Sequence, residues 1–146
     1  MAEVAPDLKE LGITIGYFGP PSAGKSSNVR RLHDRLPAEV RGKLKHVEIR
    51  GDSTLSFEIR LPISTPAGWT LRVELAALTG DLKGSASQRA LLARADAIVF
   101  VAFAAVARQA ENRELWGALS DALIGVQDPG SPAPRVIQFN RTDDLG

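Results

Sequence analysis

Between Gly19 and Ser26 the chain reads Gly-Pro-Pro-Ser-Ala-Gly-Lys-Ser, two glycines five apart followed by a lysine and a hydroxyl residue. Each type has a task if the ligand carries several phosphates. Gly19 and Gly24 let the backbone approach the anion. Amides from Ser22 and Ala23 through Gly24, Lys25, Ser26 and Ser27 donate to phosphate oxygens at a helix start. Lys25 neutralises the β and γ phosphates, and the Ser26 hydroxyl is a magnesium ligand. The plain alternative is a glycine turn ahead of a helix. Context argues against it, because a β-rich run, Gly12 to Phe18, precedes the loop and a helical run, Lys25 to Leu36, follows it.

A second group, Asn140-Arg141-Thr142-Asp143, lies near the C-terminal end of the chain. A carboxylate at Asp143 accepts from two adjacent donors on guanine, the ring N–H and the 2-amino group, whereas adenine offers no such pair. Asn140 braces the loop or touches the base, with Arg141 in the same segment. Taken alone these four residues make a solvated turn. Placed after a strand beside the nucleotide, they become a base contact.

The elements that must hold both groups follow from periodicity. Pro37 stops the first helix, Lys43 to Arg50 is extended, and Gly51-Asp52-Ser53 is a break. Leu55, Phe57, Ile59 and Leu61 alternate with Ser56, Glu58 and Arg60 over Thr54 to Leu61, which predicts a strand with one wetter face. Trp69 to Ala76 alternates likewise, and the two runs predict a hairpin-like pair. Leu78 to Gly84 is expected as a loop, Ser85 to Ala93 as a short helix and Ala97 to Phe103 as a central parallel strand buried on both faces. A helix over Arg108 to Ile124 and a strand over Arg135 to Phe139 complete the pattern. Alternating strands and helices predict a three-layer α/β domain with a mostly parallel sheet, whose ligands sit at the C-terminal ends of the strands. Residues 1–11 read as an N-terminal extension and 12–146 as the domain.

Composition narrows the classes. The chain has 146 residues, enough for one domain with a real core, and 44% hydrophobic with 24% charged residues is an ordinary globular balance. Eighteen Lys and Arg against seventeen Asp and Glu give no global drive toward nucleic acid or an anionic membrane. The absence of cysteine excludes disulfides, thiolate zinc sites and a cysteine nucleophile. No basic start followed by an apolar stretch marks a secretory signal, and the apolar run Ala95 to Ala107 is interrupted by Asp96 and too short to span a bilayer. The expectation is a cytoplasmic protein without membrane insertion. Arg30 to Arg50 is rich in Arg and Lys and reads as a solvated surface; His33, His46, Trp69 and Trp116 read as structural.

With these residues placed, the chain resembles a Ras-like small GTPase, and within that class the bacterial MglA family of gliding-motility and cell-polarity switches. The resemblance runs through Tyr17-Phe18-Gly19-Pro20, Gly24-Lys25-Ser26-Ser27-Asn28, Asp52-Ser53-Thr54-Leu55, Phe100-Val101-Ala102 and Val136-Ile137-Gln138-Phe139-Asn140, and spans residues 12 to 144. It implies GTP or GDP with Mg2+ held by Ser26 and Thr54, the latter a switch threonine sensing the γ phosphate. It also implies that the Gly80 amide meets the same phosphate, and that a GTPase-activating or effector protein is a partner. Three departures matter, the first, which the MglA family shares, for magnesium and the other two for hydrolysis. Ala77-Leu78-Thr79-Gly80 lacks the usual Ras-type carboxylate, Asp81 stands where the family has a water-orienting glutamine, and Ser53 stands where MglA-like proteins have an arginine. An arginine finger is worth about 10³ to 10⁵ in rate. Slow hydrolysis with Asp81 and Thr54 as the catalytic candidates, a switch without hydrolysis, and a pseudo-GTPase interaction module all stay open. The resemblance also implies a further strand and helix beyond Gly146, so that the chain is expected to be a fragment or a shortened member whose sheet edge a partner covers.

Overall fold

The β-rich run ahead of the glycine loop is, in the computed structural model, strand β2 (Glu10–Phe18), and the loop then opens helix α1 (Lys25–Arg35). The structure describes residues 2–49, 52–63, 67–79, 86–128, 130 and 132–140. Gly80, Asp81, Arg141 and Asp143 lie outside these residues. Before β2, a three-residue strand β1 (Glu3–Ala5) and a 3-10 turn (Pro6–Leu8) occupy the segment read as an extension, and β1 pairs antiparallel with the start of β2. After α1 come β3 (Lys45–Ile49), β4 (Asp52–Pro62) and β5 (Thr70–Thr79). Then follow α2 (Ala86–Arg94), β6 (Ala97–Phe103), α3 (Gln109–Val126) and β7 (Arg135–Asn140).

Two boundaries differ from expectation. Asp52 and Ser53 belong to β4 rather than to a break, and Leu78 and Thr79 belong to β5 rather than to a loop. One cause serves for both. The antiparallel β4–β5 register runs from Ser53 opposite Thr79 to Pro62 opposite Thr70, so each strand end supplies the other's backbone partners.

The sheet order is β3-β4-β5-β2-β6-β7, with β1 on β2. The β5–β2, β2–β6 and β6–β7 pairs are parallel, and the β3–β4, β4–β5 and β1–β2 pairs antiparallel. Alternation sorts the sheet into two faces. Phe18, Ala76, Leu78, Ile98, Phe100 and Ala102 pack with Leu91 and Leu92 of α2 and Leu119 and Leu123 of α3. Tyr17, Leu55, Phe57, Leu75, Ala77, Val101 and Phe103 pack with Ala23 and Val29 on the α1 side. The result is the three-layer α/β architecture. His33 stands edge-on to Phe57 and bonds the Gly42 carbonyl, and Trp116 stands edge-on to Phe100, so both are packing residues.

Low on the α2 face, away from both helices, charge covers the sheet. Arg60 meets Glu10 at 2.7 Å and Glu58 at 3.5 Å, while Arg72 meets Glu58 at 3.3 Å and Glu3 at 3.1 Å. This cross-strand ladder joins β4, β5, β2 and β1.

Candidate functional site

The C-terminal ends of the parallel strands are where an α/β sheet receives ligands, and the glycine loop and Asn140 meet there. Gly19 has φ +141° and Gly24 has φ +106°, conformations that side chains resist. A Cβ on Gly19 would land on the Val101 carbonyl oxygen, and one on Gly24 would land on Asn140 Nδ2. The glycines therefore press the loop against β6 and β7. Ser22 also takes a positive φ, 65°.

Lys25 is 6% exposed, and its Nζ donates to the carbonyls of Gly19 at 2.6 Å and Pro20 at 3.0 Å. The cation thus lies folded along its own loop. Asn140, the last residue of β7, sends Nδ2 to the Ala23 carbonyl at 3.0 Å across 117 residues of sequence. The bond ties the end of β7 to the glycine loop. Next to the loop on α1, Asn28 Nδ2 is buried and has no hydrogen-bond partner among the described residues. A buried orphan donor costs about 1–3 kcal/mol. It marks a site whose polar complement is incomplete.

Thr54 is placed otherwise than a residue poised over the loop. It sits inside the β4–β5 ladder opposite Leu78, and its neighbours Ser53, Leu55 and Phe57 face α1, so its own side chain projects on the α2 face. Ser53, 8% exposed, is the residue on the loop side of the sheet, and its hydroxyl contacts His46 Nε2 from β3.

The residues present fit a polyphosphate. The loop offers backbone amides and the Lys25 cation, while Gly19 lets it pack against β6. For a metal the fit is of a particular kind. Among the described residues no cluster of three or more His, Cys, Asp or Glu exists, and hydroxyls such as Ser26 suit a magnesium ion that keeps water and phosphate ligands. Two surface cavities, of about 320 and 240 Å³, share Gln127, Asp128, Pro132 and Ala133 at the N-terminal ends of β6 and β7, the wrong end of the sheet for this site.

One corner of the site was not foreseen. Asn112 of α3, 6% exposed, grips the Phe103 backbone, accepting from its N–H at 2.9 Å and donating to its carbonyl at 2.8 Å. Gln109 Nε2 adds bonds to the carbonyls of Phe103 and Ala105. The Arg108 guanidinium lies 3.9 Å from the Phe103 ring centroid and is held by Glu111. The i,i+3 spacing of Arg108 and Glu111 was a readable signal; the ring beneath them was not.

No family model matches the sequence. The mutual gliding-motility protein MglA of Myxococcus xanthus is 31% identical to this chain over 140 residues, covering 92% of the chain and 70% of the relative. Among the described residues no helix is long and apolar enough to cross a membrane. With the three-layer α/β fold and the loop geometry in place, that extent of identity makes the chain a member of the MglA-like small GTPase family.

Proposed function

We propose that the chain is a guanine-nucleotide-binding switch that takes GTP and GDP with Mg2+ and hydrolyses GTP slowly. The observation that carries this reading is the junction at Gly24, where a left-handed glycine opens α1 while Asn140 reaches from β7 to the Ala23 carbonyl. A loop so braced presents amides and a helix N-terminus to phosphate while its neighbouring strand ends beside the base. Lys25 Nζ exchanges its loop carbonyls for phosphate oxygens, and Ser26 and Thr54 are the metal's protein ligands. Bound Mg2+ supplies neutralisation of charge on the β and γ phosphates. Arg141 and Asp143 are base contacts, and the Gly80 amide is a γ-phosphate contact.

Regulation follows from position. Thr54 leaves its place on the α2 face to meet a γ phosphate, so nucleotide state is coupled to the β4 end and its surface, where effectors or a GTPase-activating protein engage. Asp81 in place of glutamine and Ser53 in place of arginine account for slow turnover. The relative's name suggests gliding motility as the process, with cell polarity alongside and the cytoplasm as the place of action.

The alternative of a docking module without nucleotide draws support from Lys25, whose ammonium already has carbonyl acceptors. One titration separates the two. Fluorescent GTP and GDP analogues in magnesium should bind wild type in preference to ATP, K25A should lose that binding, and single-turnover phosphate release should be slow. Absence of guanine-nucleotide binding by folded wild type would overturn the switch and leave the docking module.

A further inference from the structure

Phe103 and Asn140 are register partners at the C-terminal ends of β6 and β7, and both side chains face α1 and the glycine loop. Phe103 is 2% exposed within the α1-side core, and the Arg108 guanidinium lies over its ring, 3.9 Å from the centroid. Glu111 holds that guanidinium with two bonds, from Nε to Oε1 and from Nη2 to Oε2, the latter 3.1 Å. The side chain nevertheless stays 43% exposed. A guanidinium thus sits over an aromatic ring, oriented by a fork of hydrogen bonds and partly exposed, at the strand position paired with Asn140.

Such a plane is suited to stacking. Guanidinium groups stack on the faces of aromatic rings, and every nucleobase presents a face whatever its hydrogen-bonding edge. Because Arg108 is already ordered by Phe103 and Glu111, little rotamer freedom is lost when a ring settles on it. Arg108 also comes from the turn before α3, an element that neither the glycine loop nor the segment from Asn140 to Asp143 includes.

We propose that Arg108, backed by Phe103 and steered by Glu111, is a stacking platform for the purine ring of the bound nucleotide. This rests on the nucleotide reading above, and it assigns base affinity to a residue outside both motifs. Stacking is indifferent to the base edge, so the platform adds affinity without choosing guanine.

The test is calorimetric titration of GDP, IDP and inorganic tripolyphosphate into wild type, R108A and R108K, with folding checked by circular dichroism. R108A should weaken GDP and IDP by a common factor of about ten or more and leave tripolyphosphate unchanged. R108K, which keeps the charge and loses the plane, should behave like R108A, and it carries the test alone should R108A not fold. Unchanged GDP affinity in R108A, an equal loss for tripolyphosphate, or full affinity in R108K would each overturn the platform. Failure of wild type to bind GDP while it binds tripolyphosphate would overturn the guanine reading itself, and the platform with it.

Discussion

Gly19 and Gly117 are the same residue under opposite constraints, and the contrast is measurable. Gly19 combines φ +141° with a backbone oxygen where its Cβ would go, whereas Gly117, inside α3, has open space around it. Gly19→Ala should cost about 2 kcal/mol or more in urea unfolding. Gly117→Ala should stabilise by roughly 0.5–1 kcal/mol, the helix propensity difference. Glu111 offers a second check. Its hydrogen bond from Arg108 holds its carboxyl below the ordinary carboxylate value. The pair's contribution is therefore present above the unfolded carboxylate pKa and lost as pH falls through the lower folded one. An NMR titration of Glu111 should give a depressed pKa in wild type and the ordinary value in R108A.

Among the elements, the hairpin of β4 and β5 shows how far pattern reading reaches. Alternation at Leu55, Phe57 and Ile59 predicted the strand and the side it buries, and the described structure places Leu55 and Phe57 at 1% exposure against α1. Phe57→Ala should cost about 3–5 kcal/mol by thermal or urea unfolding, since its ring fills the space below α1 and takes the edge of His33. What alternation could not locate was the strand ends. Ser53 and Thr79 are polar and look like loop, yet each is the other's partner across the sheet. Hydrogen exchange should follow pairing rather than hydropathy. The β2, β4, β5 and β6 amides, with partners on both sides, should exchange slowest, and those of β1, β3 and β7 fastest among the strands.

For the whole molecule, the two borders of the described sheet differ. At β3 the neighbouring segment is rich in charge, but β7 leaves Val136 60%, Ile137 48% and Phe139 57% exposed, and these residues lie on both faces of the strand. A border strand apolar on both faces invites pairing with another chain. The 146-residue chain should associate with rising concentration in sedimentation velocity, and V136K combined with F139K should hold it monomeric. In the ladder Glu3 and Arg60 are exposed while Arg72, Glu58 and Glu10 are half-buried, so added salt should weaken it chiefly at its exposed members.

The amino-acid order by itself determined what depends on neighbours along the chain. The glycine loop, the helix it opens, the alternation of β4 and β5, and the apolar run of β6 are local patterns, and local backbone preference with burial period is enough to read them. Tertiary structure alone decided what depends on residues far apart in sequence. Asn140 reaches the Ala23 carbonyl because β7 lies beside β6 and β6 beside β2. Thr54 turns to the α2 face because register with β5 sets the parity of the whole strand. Phe103 becomes a support for Arg108 because Asn112, a polar residue inside an apolar helix face, clamps its backbone. In each case the deciding force is a hydrogen bond or contact closed across the sheet, which no periodicity along the chain encodes.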